Sequence, residues 1–293
     1  LEEDVGKGDV TTLLTVPKGK KAKGVIRVKE KGIVAGLPVA ELVFKQITVR
    51  SSEFGVRRSG VVFKVKVKEG GKVKKGQVIA EVIGDARSIL TAERTALNFL
   101  QRLSGIATLT NQFVEKVKPH KVKIFDTRKT TPGLRYLEKY AVRCGGGYNH
   151  RMGLWEMVLI KDNHLKIQNS KCKMQNLKDI VKKIRKKIPE GMKIEVEAKN
   201  LREVEEALKA KVDIIMLDNM NLKSIRKAVR LIRVKGQGLR VKVPLIEVSG
   251  GITLENVREI AETGVDRISI GALTHSAKAL DINLDIATTE DTE

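Results

Sequence analysis

Cysteine, proline and aromatic residues are all scarce in this 293-residue sequence, and each shortage removes a class of protein. Cys144 and Cys172 are the only cysteines, 28 residues apart, which makes neither a disulfide framework nor a cysteine-built zinc site. A reducing, cytoplasmic setting is the expectation. Six prolines and 41% hydrophobic residues exclude a disordered, proline-rich chain. No apolar run approaches the ~18 residues of a membrane span, and Leu1 to Asp4 are acidic where a signal peptide would be basic, so no membrane is expected. Acidic residues are also outnumbered: 57 Lys and Arg against 35 Asp and Glu leave a net charge of +22. Nucleic-acid binding would want these cations in a stripe interleaved with stacking aromatics, but aromatics are 3% and the lysines spread along the whole chain. Runs such as Lys18 to Lys23 and Lys182 to Lys187 read as solvated surface, with part of the excess available to a highly charged small substrate.

What is present falls into two parts. The first hundred residues read as strands: Ala22 to Lys29, the alternating Val61, Phe63, Val65, Val67, and Val73 to Val82 after the Glu69-Gly70-Gly71 turn. The last of these resembles a lipoyl-carrier hairpin, but no partner hairpin bears a lysine at its tip, so an ordinary hairpin is the reading. From Ala86 to Leu103 the period becomes helical, placing a β-rich domain with its linker helix at 1–103. Beyond it, six short apolar runs (Val122 to Phe125, Met157 to Ile160, Ile194 to Val196, Ile214 to Leu217, Leu245 to Val248 and Ile268 to Ile270) alternate with amphipathic helices. Asn200 with Glu203 caps one helix, and Leu222 to Val234 forms another. This is an α/β pattern over 104–275, with a tail, 276–293, expected to pack back on the first domain.

Each apolar run ends abruptly in polar residues: Asp126-Thr127-Arg128, Lys161, Glu197, Asp218, Ser249-Gly250-Gly251 and Gly271. In an α/β barrel these ends converge on one mouth. Arg128, Lys129, His150, Arg151 and Lys161 would then gather there, and a cluster of cations calls for a ligand with several negative charges. Glu197 and Asp218, 21 residues apart, suit Mg²⁺ beside a pyrophosphate; helix caps or a salt-bridge partner for Lys161 are the competing reading. Ser249 to Thr253, opening a helix at Leu254, and Ser269 to Ala272 are phosphate-loop candidates. His150 is read as a binding residue rather than a general base, and His164 and His275 as hydrogen-bonding residues. Together the groups describe a phosphorylated sugar diphosphate meeting an acidic ring.

The segments Asp126–Arg135 (DTRKTTPGLR), Lys139–Arg143 (KYAVR), Gly145–Arg151 (GGGYNHR) and Leu159–His164 (LIKDNH) resemble the quinolinate phosphoribosyltransferases. Glu3–Thr12, Gly84–Leu90, Glu93–Asn98, Met216–Met220 and Val248–Thr253 follow in the same family's order, so the likeness covers nearly the whole chain. Trp155-Glu156 and Ala198-Lys199 are atypical, though they adjoin the functional positions without replacing them. The family pattern has a helix before Glu3, so residues are expected to precede Leu1. The resemblance implies an incomplete seven-stranded α/β barrel with an N-terminal β-sandwich-like domain, α+β overall, in a homodimer or hexamer. It also implies transfer of phosphoribosyl from phosphoribosyl pyrophosphate to quinolinate with decarboxylation, on the route to NAD. Arg94 from a neighbouring subunit would join Arg128, His150, Arg151 and Lys161 on quinolinate's two carboxylates. Lys129 and Lys161 would contact phosphoribosyl pyrophosphate, Glu197 and Asp218 the ribose and Mg²⁺, and Ser249, Gly250, Gly271 and His275 the 5′-phosphate. A related nicotinate phosphoribosyltransferase, disfavoured because one carboxylate needs fewer cations, or a pyrophosphorylase using another base is the alternative, with a basic nucleic-acid-binding protein well behind.

Overall fold

The computed structural model describes residues 1–53, 60–171, 176–238 and 243–288; Cys172 lies outside the described residues. The chain forms two units, one made of Leu1–Asn111, Tyr140–Gly146 and Ala277–Glu293, the other of Gln112–Lys139 and Gly147–Ser276.

The first unit runs through α1 (Glu2–Val5), α2 (Val10–Thr15), β1 (Lys21–Val28), β2 (Gly32–Ile33), α3 (Leu37–Glu53), β3 (Val62–Val65), β4 (Lys72–Val73), β5 (Val78–Asp85) and α4 (Ala86–Val117). In β1 every second residue is buried, Ala22, Gly24, Ile26 and Val28, which turns one face of the sheet inward. That face meets helices: Leu37, Ala40 and Phe44 of α3 and Ile89, Ala96, Leu97 and Leu100 of α4 share one apolar cluster with Ile26, Ala80 and Val82. Burying each such aliphatic side chain contributes roughly 1.5–3 kcal/mol. The layer facing the sheet is therefore helical. Helix α3 corrects the all-strand reading of the first hundred residues: Leu37, Ala40, Val43, Phe44 and Ile47 recur at helical spacing and all are buried. The Glu69 carboxylate starts that helix by accepting from the N–H groups of Gly36 (2.5 Å) and Leu37 (3.1 Å). The single strand read at Val73 to Val82 is broken by a turn at 74–77, with Gly76 at φ 81°. The boundary expected at residue 103 falls inside α4, one continuous 32-residue helix.

The chain continues with β6 (Lys123–Phe125), α5 (Arg135–Cys144, whose residues from Tyr140 on belong to the first unit), β7 (Val158–Ile160), α6 (Asp162–Lys171), α7 (Leu177–Arg185), β8 (Ile194–Ala198) and α8 (Leu201–Lys209). After these come β9 (Ile214–Asp218), α9 (Leu222–Gly238), β10 (Leu245–Ser249), α10 (Val257–Ala261), β11 (Arg267–Ser269) and α11 (Ala272–His275). The second unit's sheet is parallel, in the order β6-β11-β10-β9-β8-β7. Against the seven strands that the resemblance implies, the described residues supply six, and Tyr148 adds one parallel bridge to Phe125 on β6. Alternation puts Ile194, Val196, Ile215, Leu217, Ile246 and Val248, all buried, on one face. The opposite face carries Glu195 and Glu197, then Met216 and Asp218, then Glu247 and Ser249, in register across three strands. Asn200 caps α8 as its spacing predicts, its Oδ1 accepting from the Glu203 N–H at 3.0 Å. The last strand, β12 (Ile282–Thr288), belongs to the first unit: it lies antiparallel to β1, with Leu284 opposite Ile26, and completes the order β12-β1-β5-β3. Among the described residues no helix is long and apolar enough to cross a membrane.

Candidate active site

The polar strand ends of the second unit enclose a cavity of ≈ 580 Å³. Arg128, Lys129, His150, Arg151, Lys161, Glu197, Asp218, Ser249, Gly250, Gly271 and His275 all line it. Arg94 does not: it stands exposed on α4 in the first unit. A parallel sheet brings the other residues together because its strands all deliver their C-terminal ends to one rim.

Two guanidinium groups dominate one side. Arg128 is half-buried, and its Nε is buried without a hydrogen-bond partner among the described residues. Arg151 donates to the Met157 carbonyl at 2.9 Å, and burial followed by the positive charge of Arg128 lowers its pKa. Like charges held this close are unfavourable until an anion joins them. Opposite, Lys161 Nζ forms an ion pair with Glu197 Oε1; the lysine side chain is 45% exposed and the glutamate 8%. The salt-bridge reading of Glu197 is thus realised, and Lys161 is left able to reach a ligand.

The phosphate-loop candidates include glycines at positions closely packed by their neighbours. Gly250 adopts φ 91°, and a Cβ there would sit 2.2 Å from Asn219 Oδ1, so glycine is required twice over. A Cβ on Gly271 would come within 3.0 Å of Lys129 Cδ and 3.1 Å of His275 Nε2. The helix expected to open at Leu254 begins instead at Val257, because Asn256 closes a turn by accepting from Thr253 N (2.9 Å) and donating to Gly251 O (2.8 Å).

His150 lines the cavity and also faces two buried acids. Its Nδ1 accepts from the Arg151 N–H at 2.8 Å, which assigns the proton of the neutral ring to Nε2, the nitrogen 3.1 Å from Glu195 Oε2 and 3.4 Å from Glu247 Oε1. Burial lowers its pKa, yet these two carboxylates outweigh that and raise it. Burial, then the charge of Glu247, pushes Glu195 up to about 7. Sequence reasoning missed both acids, and the signal was there: Glu195-Val196-Glu197 and Glu247-Val248-Ser249 alternate, so whatever faces the cavity at Glu197 and Ser249 is matched one step deeper by a glutamate. It named Asp126 and Lys139 only within longer polar segments, without a role, and left out Glu138; all three are fully buried.

The sequence matches the quinolinate phosphoribosyl transferase C-terminal domain over residues 106–285 and the N-terminal domain over residues 9–104. The chain belongs to the quinolinate phosphoribosyltransferase family. Among curated relatives it is 45% identical over 288 residues to a probable carboxylating nicotinate-nucleotide pyrophosphorylase of Methanocaldococcus jannaschii, covering 98% of this chain and 94% of that protein. It is 42% identical over 287 residues to the carboxylating enzyme of Mycobacterium leprae, again covering 98% and 94%. The solved nicotinate-nucleotide pyrophosphorylase of Francisella tularensis superposes with a TM-score of 0.84 at 38% identity, covering 98% of this chain and 92% of that one. The activity that goes with membership is decarboxylating phosphoribosyl transfer to quinolinate in NAD synthesis. The family's fold, an antiparallel-sheet domain with a barrel-like parallel α/β domain, is the one described above.

Proposed function

We propose how the cavity divides that reaction among its residues. Arg128 and Arg151 hold the two carboxylates of quinolinate, and the orphaned Nε of Arg128 supports this most directly, since a buried guanidinium donor without an acceptor is costly until a carboxylate arrives. His150, its Nδ1 bonded to the Arg151 N–H and its Nε2 facing Glu195 and Glu247, contributes its shape and charge to this end of the pocket. Ser249, Gly250, Gly271 and His275 cradle the 5′-phosphate, the two glycines lining the cavity with backbone alone. Lys129 and Lys161 face the pyrophosphate.

In the first step the pyridine nitrogen forms its bond to ribose C1 as the bond from C1 to pyrophosphate breaks, and Lys129 and Lys161 neutralise the departing charge. Glu197 and Asp218 face the positive charge that grows on the ribose. They also fit Mg²⁺: both are hard oxygen donors on one face of the sheet, diagonal neighbours across β8 and β9, and such an ion takes one or two carboxylates plus phosphate oxygens. When bound there, the ion supplies further neutralisation of the leaving pyrophosphate. In the second step the bond from C2 to its carboxylate breaks, carbon dioxide leaves, and the electron pair stays at C2 next to the now positive nitrogen until a proton replaces the lost group. The substrate is its own electron sink.

The working unit in this proposal is a homodimer or a hexamer, with Arg94 reaching the carboxylate end of a neighbouring subunit's pocket. Its setting is the cytoplasm.

The test is product formation from phosphoribosyl pyrophosphate and Mg²⁺ with quinolinate or nicotinate, following carbon dioxide and nicotinate mononucleotide. Turnover with quinolinate alone, and a raised quinolinate KM in Arg128→Ala, is expected. Turnover with nicotinate would overturn the two-carboxylate pocket. Mixing inactive Arg94→Ala with inactive Lys161→Ala should restore partial activity, and no recovery in proven mixed oligomers would overturn the role of Arg94.

A further inference from the structure

Asp126 and Lys139 form an ion pair in which neither side chain has any exposed surface. Asp126 follows β6 and stands two residues before Arg128; Lys139 lies on α5. The pair does more than neutralise itself. Asp126 Oδ1 accepts the His150 N–H at 2.9 Å, and Lys139 Nζ donates to the His150 carbonyl at 3.0 Å, so the two ions grip the residue before Arg151 by both of its backbone groups. The Asn149 amide, in the orientation that satisfies its neighbours, donates to Asp126 Oδ2 (3.1 Å) and to the Lys139 carbonyl (3.0 Å). Helix α5 also braces the loop after Arg128: the Glu138 carboxylate accepts from Thr131 N (3.1 Å) and Oγ1 (2.9 Å), and Arg135 donates to Thr130 Oγ1 (2.9 Å) and Met152 O (3.2 Å).

We propose that the Asp126–Lys139 pair is a positioning device for the dicarboxylate subsite, fixing the spacing between the Arg128 loop and the His150–Arg151 loop. Stability alone is a poor reason for such a pair. Desolvation of two ions offsets most of their attraction, and an apolar pair of the same volume serves folding as well or better. Burial raises the Asp126 pKa and lowers that of Lys139, each countered by the other ion. What an apolar pair lacks is the ability to hold the N–H and the C=O of one peptide residue at the same time. Two guanidinium groups that repel each other need such a restraint if they are to stay at the separation of two carboxylates on one ring, because an error of about 1 Å in a positioned group costs around a hundredfold in rate. The inference rests on Arg128 and Arg151 being the carboxylate-holding residues.

The test separates folding from positioning. Lys139→Met strands a buried carboxylate, whereas Asp126→Leu/Lys139→Met removes both ions. We expect the double variant to melt well above the single variant, yet to show a quinolinate KM raised about tenfold or more while the KM for phosphoribosyl pyrophosphate moves less than about threefold. The second substrate is spared because Lys129 is anchored elsewhere, through Thr274 Oγ1 donating to its carbonyl at 2.7 Å. A double variant that recovers both melting temperature and quinolinate KM, or that raises both KM values equally, overturns the inference. If neither variant folds, Asn149→Ala keeps the pair and removes only the amide that orients it. A selective rise of about threefold in quinolinate KM is then expected, and an unchanged value in the folded variant overturns the proposal. Arg128→Ala runs alongside: if it leaves quinolinate KM unchanged, the site reading has failed rather than the role of the pair.

Discussion

In the antiparallel unit the ion pairs Lys23–Glu81 and Lys66–Glu81 stand on the face of the sheet turned away from α3 and α4, while Ile26, Ala80 and Val82 supply the face turned toward them. In the parallel unit Asp126, Lys139, Glu195 and Glu247 are all fully buried. The first arrangement follows from transfer energies alone, with charge outside and hydrocarbon inside. The second does not, and its charges are either paired within the protein or aimed at the cavity. A unit whose interior carries several fully buried charges at a cost in stability has that charge for its site, whereas a unit with a mostly apolar interior has its stability from packing.

The sharpest way to break this comparison is to remove packing where packing is said to act. Phe44 is 1% exposed and stacks on Phe63 with ring centroids 5.8 Å apart. Phe44→Ala is expected to lower stability by about 3–5 kcal/mol in calorimetry and to leave both KM values unchanged in whatever remains folded. Next in size is the opposite experiment. Lys161→Ala removes a cation from the departing pyrophosphate and leaves Glu197 uncompensated in the cavity; kcat should fall about 10²–10³-fold, with little change in melting temperature.

Smaller effects sharpen the contrast inside the first unit. Its Cys144 thiol is raised to about 11 by burial and then by the Glu69 charge. Alkylation at pH 8 should therefore run about a hundredfold below that of an ordinary free thiol, and Glu69→Gln should speed it. A rate typical of an exposed cysteine would show that this corner is open to water. The smallest effect belongs to Glu81, whose carboxyl is held down at about 2 by its hydrogen bonds and ion pairs with Lys23 and Lys66. A depressed folded-state pKa means stability present above the unfolded value of about 4.5 and lost as pH falls toward 2. Glu81→Gln should flatten that part of the stability curve, and salt should weaken the same contribution, since the pair lies at the surface.

Much of the site was legible because its residues sit at strand ends, where an abrupt change from apolar to charged is a local signal. Arg128, Lys161, Asp218 and Ser249 were found that way. Glu195 and Glu247 were not, since a glutamate between an isoleucine and a valine in a short run reads as an exposed strand position, and only the closing of both sheet faces buries it. Lys139 was hidden for a similar reason. A lysine on a helix is solvent-exposed in almost every protein, and nothing within a few residues announces that Asp126 will meet it. In the first unit, Leu37 to Ile47 was passed over although its apolar spacing is helical, because strands on either side set the expectation.

Patterning alone determined the class of fold, the parallel strands and the ring of polar ends, because period and burial are encoded within a few neighbouring residues. Three matters were decided only in three dimensions: that β12 closes the first sheet, that α4 runs unbroken across the expected boundary, and that Asp126 and Lys139 grip His150 between them. The first and the third depend on residues of separate elements meeting at hydrogen-bond distance. Such a meeting is set by how whole elements pack, and no local pattern carries it.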